Sequence, residues 1–434
     1  MSSRPTPDLP HIVVLGAGFA GLNFCQHLAK DRYRVTLVDR QNHHLFQPLL
    51  YQVATAGLAA PDIAQPVRSL LRDRSDITIR MDRVEEIDLA AREVSLARGK
   101  LNYDFLFIGL GGQTSYFGHD GWAQFAPGLK SLDDAIAIRR NVLSAFERAE
   151  SESDEALRRE LMTIVVIGGG PTGVELAGTF AELTRRVLNR DFLHIDPTQA
   201  KVILVEAGPR VLPAFVEPLS ASAKRQLEAL GVEVRLNTKV EDLRENEVQT
   251  SAGLIRAGNI IWGAGVGASP LTRSLGVETD RAGRIKVAPD LSLPGHPNVF
   301  AAGDLVSLQD PSGKSVPGVA PAAMQMGRYL AARFNRGAPS GAEGPAAPFA
   351  YKDKGNLATI GRSSAVAQIG ALKFSGPPAW AAWLGIHLIF LVGFRNRIAV
   401  FFSWVYSYFT YKRGARIIMG VSATPASEPA AAPK

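Results

Sequence analysis

Gly16-Ala17-Gly18-Phe19-Ala20-Gly21 follows the apolar run His11-Ile12-Val13-Val14-Leu15, and Gly168-Gly169-Gly170-Pro171-Thr172-Gly173 follows Thr163-Ile164-Val165-Val166-Ile167. In each stretch a short β-branched run reads as a buried strand. The first glycine then permits a tight turn, the second lets backbone approach a pyrophosphate, and the third lets the next helix pack close. The phosphates sit at the positive end of that helix. A lone fingerprint carries little. Two in strand–turn–helix context point to two dinucleotides, a flavin and a nicotinamide, on two Rossmann-like α/β units.

An acidic residue closes the strand after each fingerprint helix. Asp39 ends Val35-Thr36-Leu37-Val38, 23 residues after Gly16, near the spacing of about 20 at which a carboxylate meets ribose hydroxyls. Glu206 ends Val202-Ile203-Leu204-Val205, 38 residues after Gly168, and an extended helix or loop from Arg185 to Ala200 accounts for the extra length. A carboxylate binds ribose hydroxyls and repels a ribose phosphate, so NADH is favoured over NADPH.

At 434 residues the chain exceeds one simple core, and two domains with an appendage are expected. Charged residues at 21% and hydrophobic residues at 46% describe a folded protein. The net charge is +7, but no Lys/Arg stripe is interleaved with aromatics, so nucleic acid is not an expected partner. The one cysteine, Cys25, excludes an intrachain disulfide and suits a reducing compartment. Met1 to Pro10 lacks a signal-peptide pattern. His43 and His44 are adjacent, and neighbours on an extended chain point to opposite sides. They read as a turn or cofactor-lining loop, and no metal is expected.

Further along, Tyr103 to Gly112 reads as a buried strand and a glycine turn crossing to the second domain, which opens with a helical stretch from Leu132 to Glu160. Asn298 to Asp304 returns to the first domain, with Gly303 allowing close ligand approach and Asp304 suited to a ribityl chain. A helix beginning at Ala320 would place its N-terminus under the flavin ring. Gly337 to Pro348 reads as a linker. Ala379 to Phe394 and Ile398 to Tyr411 are apolar and aromatic, with Arg395, Arg397, Lys412, Arg413 and Arg416 around them. Neither run reaches the ~20 residues of a bilayer span, so they read as helices lying in a membrane interface. The other reading is a buried helical hairpin or dimer interface. The expected division is 1–115 with 281–348 for FAD, 116–280 for NADH, 349–420 for membrane anchoring and dimerisation, and a disordered tail over 421–434.

With Gly169 to Gly178, Ile261 to Val266, Asp353 to Arg362 and Gly393 to Arg397, the chain resembles the type II NADH dehydrogenases, single-subunit NADH:quinone oxidoreductases, from Ile12 to about Met419. The resemblance implies the two-dinucleotide-binding flavoprotein fold with a helical C-terminal membrane-attachment segment, non-covalent FAD, and NADH as substrate. It further implies ubiquinone or menaquinone as acceptor, a homodimer, and peripheral attachment to anionic lipid on the cytoplasmic face of a bacterial inner membrane, without proton pumping. It carries catalytic roles to Glu175, Gln325 and Lys373, the quinone to Met324 and Gln325, and the cofactor to Ala320. Pro321 departs from the family, whose Ala-Gln-x-Ala-x-Gln pattern has its first Gln there. A sulfide:quinone reductase needs several cysteines, which argues against it; a non-catalytic, membrane-bound NADH sensor is the alternative from another class.

Glu206→Gln is expected to narrow the preference for NADH, read as the ratio of kcat/KM for NADH and NADPH. An unchanged ratio would remove the carboxylate argument.

Overall fold

The structure, a computed structural model, describes residues 9–189, 191–337, 347–410 and 415–418. Most of the linker read over 337–348, Lys412, Arg413 and the terminal tail lie outside the described residues.

Two sheets, parallel around their central strands, carry the fingerprints. In the first, β1 (His11–Leu15) is central, with β2 (Arg34–Asp39) on one side and Phe105–Ile108 on the other, both parallel. All five residues of β1 are buried, which is why its sequence runs apolar without alternation. His296–Ala301 joins the same six-stranded sheet, pairing Val299 with Leu106. The chain therefore does return to its first unit after almost two hundred residues. In the second sheet, β3 (Thr163–Ile167) pairs in parallel with β4 (Lys201–Val205) and with Asn259–Trp262. Helix α1 (Phe19–His27) leaves the end of β1 and α2 (Pro171–Glu182) the end of β3. The fingerprints thus open at the carboxyl ends of central strands, where such sheets bind ligands. Gly112–Thr114 and Val266–Ala268 form an antiparallel ribbon where the chain crosses between units.

The long charged stretch differs from expectation. It is two helices, Leu132–Ser151 and Glu155–Leu161, because the Asp154 carboxylate accepts the N–H groups of Ala156 and Leu157 and starts a second helix. The insertion before Glu206 continues α2 as a π turn over Leu183–Val187, followed by a short 3-10 turn at Pro197–Gln199.

Helix α3 (Ala320–Arg336) lies against α1 so closely that a Cβ on Gly327 would sit 2.2 Å from the Ala20 carbonyl oxygen. Beyond it comes an element that the helical reading of the C-terminus lacked: an antiparallel sheet of β5 (Asn356–Gly361), β6 (Ser364–Ile369) and β7 (Leu372–Ser375). Helices α4 (Pro377–Phe390) and α5 (Phe394–Thr410) follow. The new sheet abuts α2, where a Cβ on Gly178 would stand 1.7 Å from the Ile360 carbonyl oxygen. Among the described residues no helix is long and apolar enough to cross a membrane.

Gly327→Ala is expected to cost about 1–3 kcal/mol by overpacking, measured by denaturant unfolding. Gly385→Ala, in a helix with open space around it, is the control, expected to be neutral or slightly stabilising.

Candidate functional site

The two glycine turns share one geometry. Gly16 and Gly168 have φ of +99° and +106°, a region that side chains disfavour. A Cβ on Gly21 would meet the Gly16 oxygen at 2.0 Å, and one on Gly173 the Gly168 oxygen at 1.8 Å. Around Gly18 and Gly170, in contrast, nothing lies within 4 Å of an added Cβ. The first and third glycines are closed by protein, and the second faces open space, as a pyrophosphate requires. Both turns fit a dinucleotide.

The acidic residues grip these turns. Asp39 accepts the Ala17 N–H at 2.6 Å and the Gln41 N–H at 2.7 Å. Glu206 accepts the Gly169 N–H at 2.5 Å and the Gly208 N–H at 2.6 Å. The two are structural counterparts despite their different spacings. Each carboxylate offers about four acceptor positions, so capacity remains for ribose hydroxyls. Burial pushes the Asp39 carboxyl above its ordinary pKa, opposed by the two amide hydrogen bonds.

Gly303 takes φ +90°, and its N–H points at the Met326 sulfur on α3. Pro321 falls in the first turn of α3, where no intrahelical N–H is needed; the departure at this position costs the helix nothing. Gln325 is engaged: its Nε2 donates to the Lys352 carbonyl and its Oε1 accepts the Lys352 N–H, both at 3.0 Å. Ala320 and Met324 are half-buried on the same helix. Lys373 is exposed on edge strand β7, across from Gln368. Among the described residues no hydrogen bond or ion pair joins any two of Glu175, Gln325 and Lys373.

Glu175 sits one turn into α2 beneath the C-terminal sheet. Burial pushes its carboxyl well above the usual range, against a hydrogen bond from the Thr359 backbone. Thr359 also lines a pocket with Thr179 and Glu182 of α2, Tyr51 and Gln52, and Trp383, Trp404 and Tyr408 of the last two helices. Sequence reading missed these pocket residues, because they come from segments more than 300 residues apart. Trp404 Nε1 donates to Gln52 Oε1 at 2.8 Å, and Gln52 Nε2 donates to the Tyr51 hydroxyl at 2.9 Å. The signal available was the aromatic density of both segments.

An aromatic row connects this pocket to the first glycine turn. His44 Nδ1 pairs with the Ala17 oxygen at 2.9 Å, and Phe19 packs edge-on against His44 and Phe46 at 5.0 and 5.9 Å. Phe46 meets His387 at 6.3 Å, and His387 stacks on Trp383 at 4.1 Å. Burial pulls the His387 imidazole down to about 4, so it stays neutral. His43 points away and pairs with Asn42, as the alternation of a strand dictates.

Helix α5 has two faces. Asn396 donates to the Pro61 and Asp62 carbonyls at 3.0 Å, and Val400 is fully buried. Ile398, Phe401, Phe402, Val405, Tyr406 and Phe409 form the opposite stripe, with Phe402 63% and Phe409 77% exposed.

Residues 10–327 match the family model described as pyridine nucleotide-disulphide oxidoreductase, and residues 354–412 match the NDH2 C-terminal domain. The chain is 43% identical over 427 residues to the type II NADH:quinone oxidoreductase Ndh of Mycobacterium tuberculosis, covering 95% of this chain and 91% of the relative. It is 44% identical to NdhA of the same organism, over 94% of this chain and 89% of that one. The fold resembles NDH2 from Plasmodium falciparum in complex with NADH, with a TM-score of 0.85 at 21% identity, covering 95% and 100% of the two chains. Cys25, the one cysteine, is buried on the inner face of α1, and burial pushes its thiol up to about 12.

Glu175→Gln provides a test of the buried carboxyl. Folding favours the protonated form, so the stability linked to this site is present below the ordinary carboxylate value of 4.5 and is lost as pH rises through the elevated folded value. Gln cannot ionise. The variant is therefore expected to gain on the wild type as pH rises above 4.5, by at most about 1.4 kcal/mol per pH unit. Parallel melting curves at pH 5 to 8 would refute this; a widening gap would support it.

Proposed function

The chain belongs to the type II NADH:quinone oxidoreductases, within the pyridine nucleotide-disulphide oxidoreductase family, and on that premise we propose how its residues carry out the reaction. It oxidises NADH and reduces a quinone as a flavoprotein. The finer assignments follow from the site.

FAD is assigned to residues 1–115 with 281–348, and NADH to 116–280. A flavin held by the first glycine turn and Asp39 would supply the redox chemistry, hydride acceptance from NADH and two-electron delivery to the quinone. Asp39 and Glu206 hold the two riboses and fix their glycine turns. Asp304 binds the ribityl chain. Glu175, whose carboxyl burial pushes above its ordinary pKa, is assigned the relay of a proton between the nicotinamide site and the aromatic pocket. Ubiquinone or menaquinone occupies that pocket, against the aromatic faces of Tyr51, Trp383 and Trp404. Gln325, Met324 and Lys373 are assigned to the same acceptor although none of them lines this pocket, and Gln325 retains one N–H beyond its Lys352 bracket. The observation that carries this reading is the pocket itself, which shares Thr359 with Glu175 on the nicotinamide-side helix.

Membrane attachment is supported by the exposed stripe of α5, with Arg395 and Arg397 exposed at its start. Large apolar patches on a surface mark interaction sites, and aromatics with flanking arginines suit a lipid interface. Residues 349–420 are assigned to this contact, on the cytoplasmic face of an inner membrane, peripherally and without proton pumping; the working unit proposed is a homodimer.

Anaerobic NADH is expected to bleach the flavin band of the purified protein, and a soluble quinone analogue to restore it with continuous turnover. Bleaching without recovery would overturn the quinone assignment and favour a sensor. Phe402→Asp with Phe409→Asp is expected to abolish flotation with anionic vesicles while NADH still bleaches the flavin; retained flotation would overturn the role of the stripe.

A further inference from the structure

Trp383 and His387 stand four residues apart on α4, a spacing that puts two side chains on one face of a helix. The imidazole stacks on the indole at 4.1 Å, and its Nδ1 donates to the Trp383 carbonyl at 2.7 Å. Tyr51 meets the same indole edge-on at 6.3 Å, and Trp404 of α5 lies against it at 5.8 Å. Rings from segments far apart in sequence thus fix Trp383 in the wall of the aromatic pocket, where it is 1% exposed.

That wall treats its indoles unequally. The Trp404 N–H is spent on Gln52 Oε1 at 2.8 Å. The Trp383 Nε1 is buried and, among the described residues, has no hydrogen-bond partner. An indole nitrogen donates and cannot accept. A buried indole N–H usually finds an acceptor, and one left unmet costs free energy that a native structure must recover elsewhere. His387, Tyr51 and Trp404 hold the ring, so it has little room to turn towards another acceptor. A donor-only group in an aromatic-walled pocket selects for a flat ring that carries an acceptor atom. The carbonyl oxygen of a quinone is such an atom.

We propose that Trp383 is a quinone-contacting residue whose indole N–H donates a hydrogen bond to one carbonyl oxygen of the acceptor. The inference rests on the placing of the quinone in the aromatic pocket, and it adds the polar contact that orients the ring there. Negative charge gathers on that oxygen during reduction, and the bond from a donor already in position strengthens as it does, with no reorganisation required.

The test compares two flat probes of like shape on the purified, flavin-loaded protein without NADH. One is 2-methyl-1,4-naphthoquinone, which carries two carbonyl oxygens; the other is 2-methylnaphthalene, which carries none. Equilibrium dialysis gives Kd for each probe with wild type, Trp383→Phe and Trp383→His. Relative to its effect on the hydrocarbon, Trp383→Phe is expected to weaken the quinone about fivefold or more, the size of one net hydrogen bond. Lost packing alone would move both probes by the same factor, so an unchanged ratio of the two Kd values would overturn the proposal. Trp383→His can set an imidazole N–H where the indole nitrogen was, and it is expected to bring the ratio back to within about threefold of wild type. A ratio as poor as that of Trp383→Phe would count against the donor as well. Should Trp383→Phe not fold, Trp383→Leu is read the same way. Leu384→Trp, which puts a larger side chain into the same pocket, is expected to weaken both probes. If it weakens neither, the probes bind elsewhere and the pocket assignment falls, taking the donor with it. Weakening by Leu384→Trp with an unchanged ratio in Trp383→Phe sinks the donor alone, so the two failures are distinguishable.

Discussion

The contact on which the rest depends is the touch between the first turn of a helix and the loop that precedes it. At Gly21 and Gly173 the gap to the backbone oxygen of the opening glycine is too small for a Cβ, at 2.0 and 1.8 Å. This closeness aims the helix N-terminus at the ligand space. It also brings the loop amides within reach of the carboxylates of Asp39 and Glu206. A methyl group at either position would push the helix off, and the helix dipole, the amide–carboxylate clamp and the open side of Gly18 or Gly170 would all lose alignment together. The same economy of side chains recurs at Gly327 against α1 and at Gly178 against β5. Glycine is thus the means by which four helix contacts are made short enough to fix distances between sites.

The second of those contacts matters for chemistry. Helix α2 has the second glycine turn at its start, Glu175 one turn later and Thr179 a further turn along, in the wall of the aromatic pocket. One helix of twelve residues therefore runs from the second glycine turn to the wall of the aromatic pocket. The backbone of β5 presses on it and gives the Glu175 carboxyl its hydrogen bond from Thr359. The neutral imidazole of His387 and the aromatic row through Phe46 and Phe19 keep the other side of this region apolar. Low polarity strengthens whatever electrostatics remain, so the few charges here count for more than their number suggests.

Much of the frame was legible in the sequence because it is local. A β-branched run, a glycine turn and an acidic strand end lie within a few dozen residues of one another, and the counterpart geometry of Asp39 and Glu206 followed despite their unequal spacing. The return of the chain at Val299 was visible for the same reason, as a buried strand ending in Gly303 and Asp304. The C-terminal sheet was not, since the small residues of Asn356 to Gly361 carry no alternation that separates strand from loop. The break at Asp154 was hidden by uniform charge on either side. The pocket was illegible on principle: Gln52 and Trp404 are 352 positions apart, and no local pattern reports a pairing at that distance. The bracket of Gln325 on Lys352 escaped for a related reason, because its partners are backbone atoms, which leave no mark on composition.

That long-range closure has a consequence for how the molecule comes into being. The glycine turns and both sheets are complete once synthesis has passed residue 301. The wall made by Trp383 and Trp404 arrives a hundred residues later, at the end of the chain. A ribosome-bound intermediate can therefore gather both glycine-turn units while the aromatic pocket is still open on one side. The helix that finishes the wall, α5, is also the one whose outer stripe remains uncovered. Completion of the pocket and presentation of the apolar stripe are one event in biogenesis, so a truncated chain lacks both together.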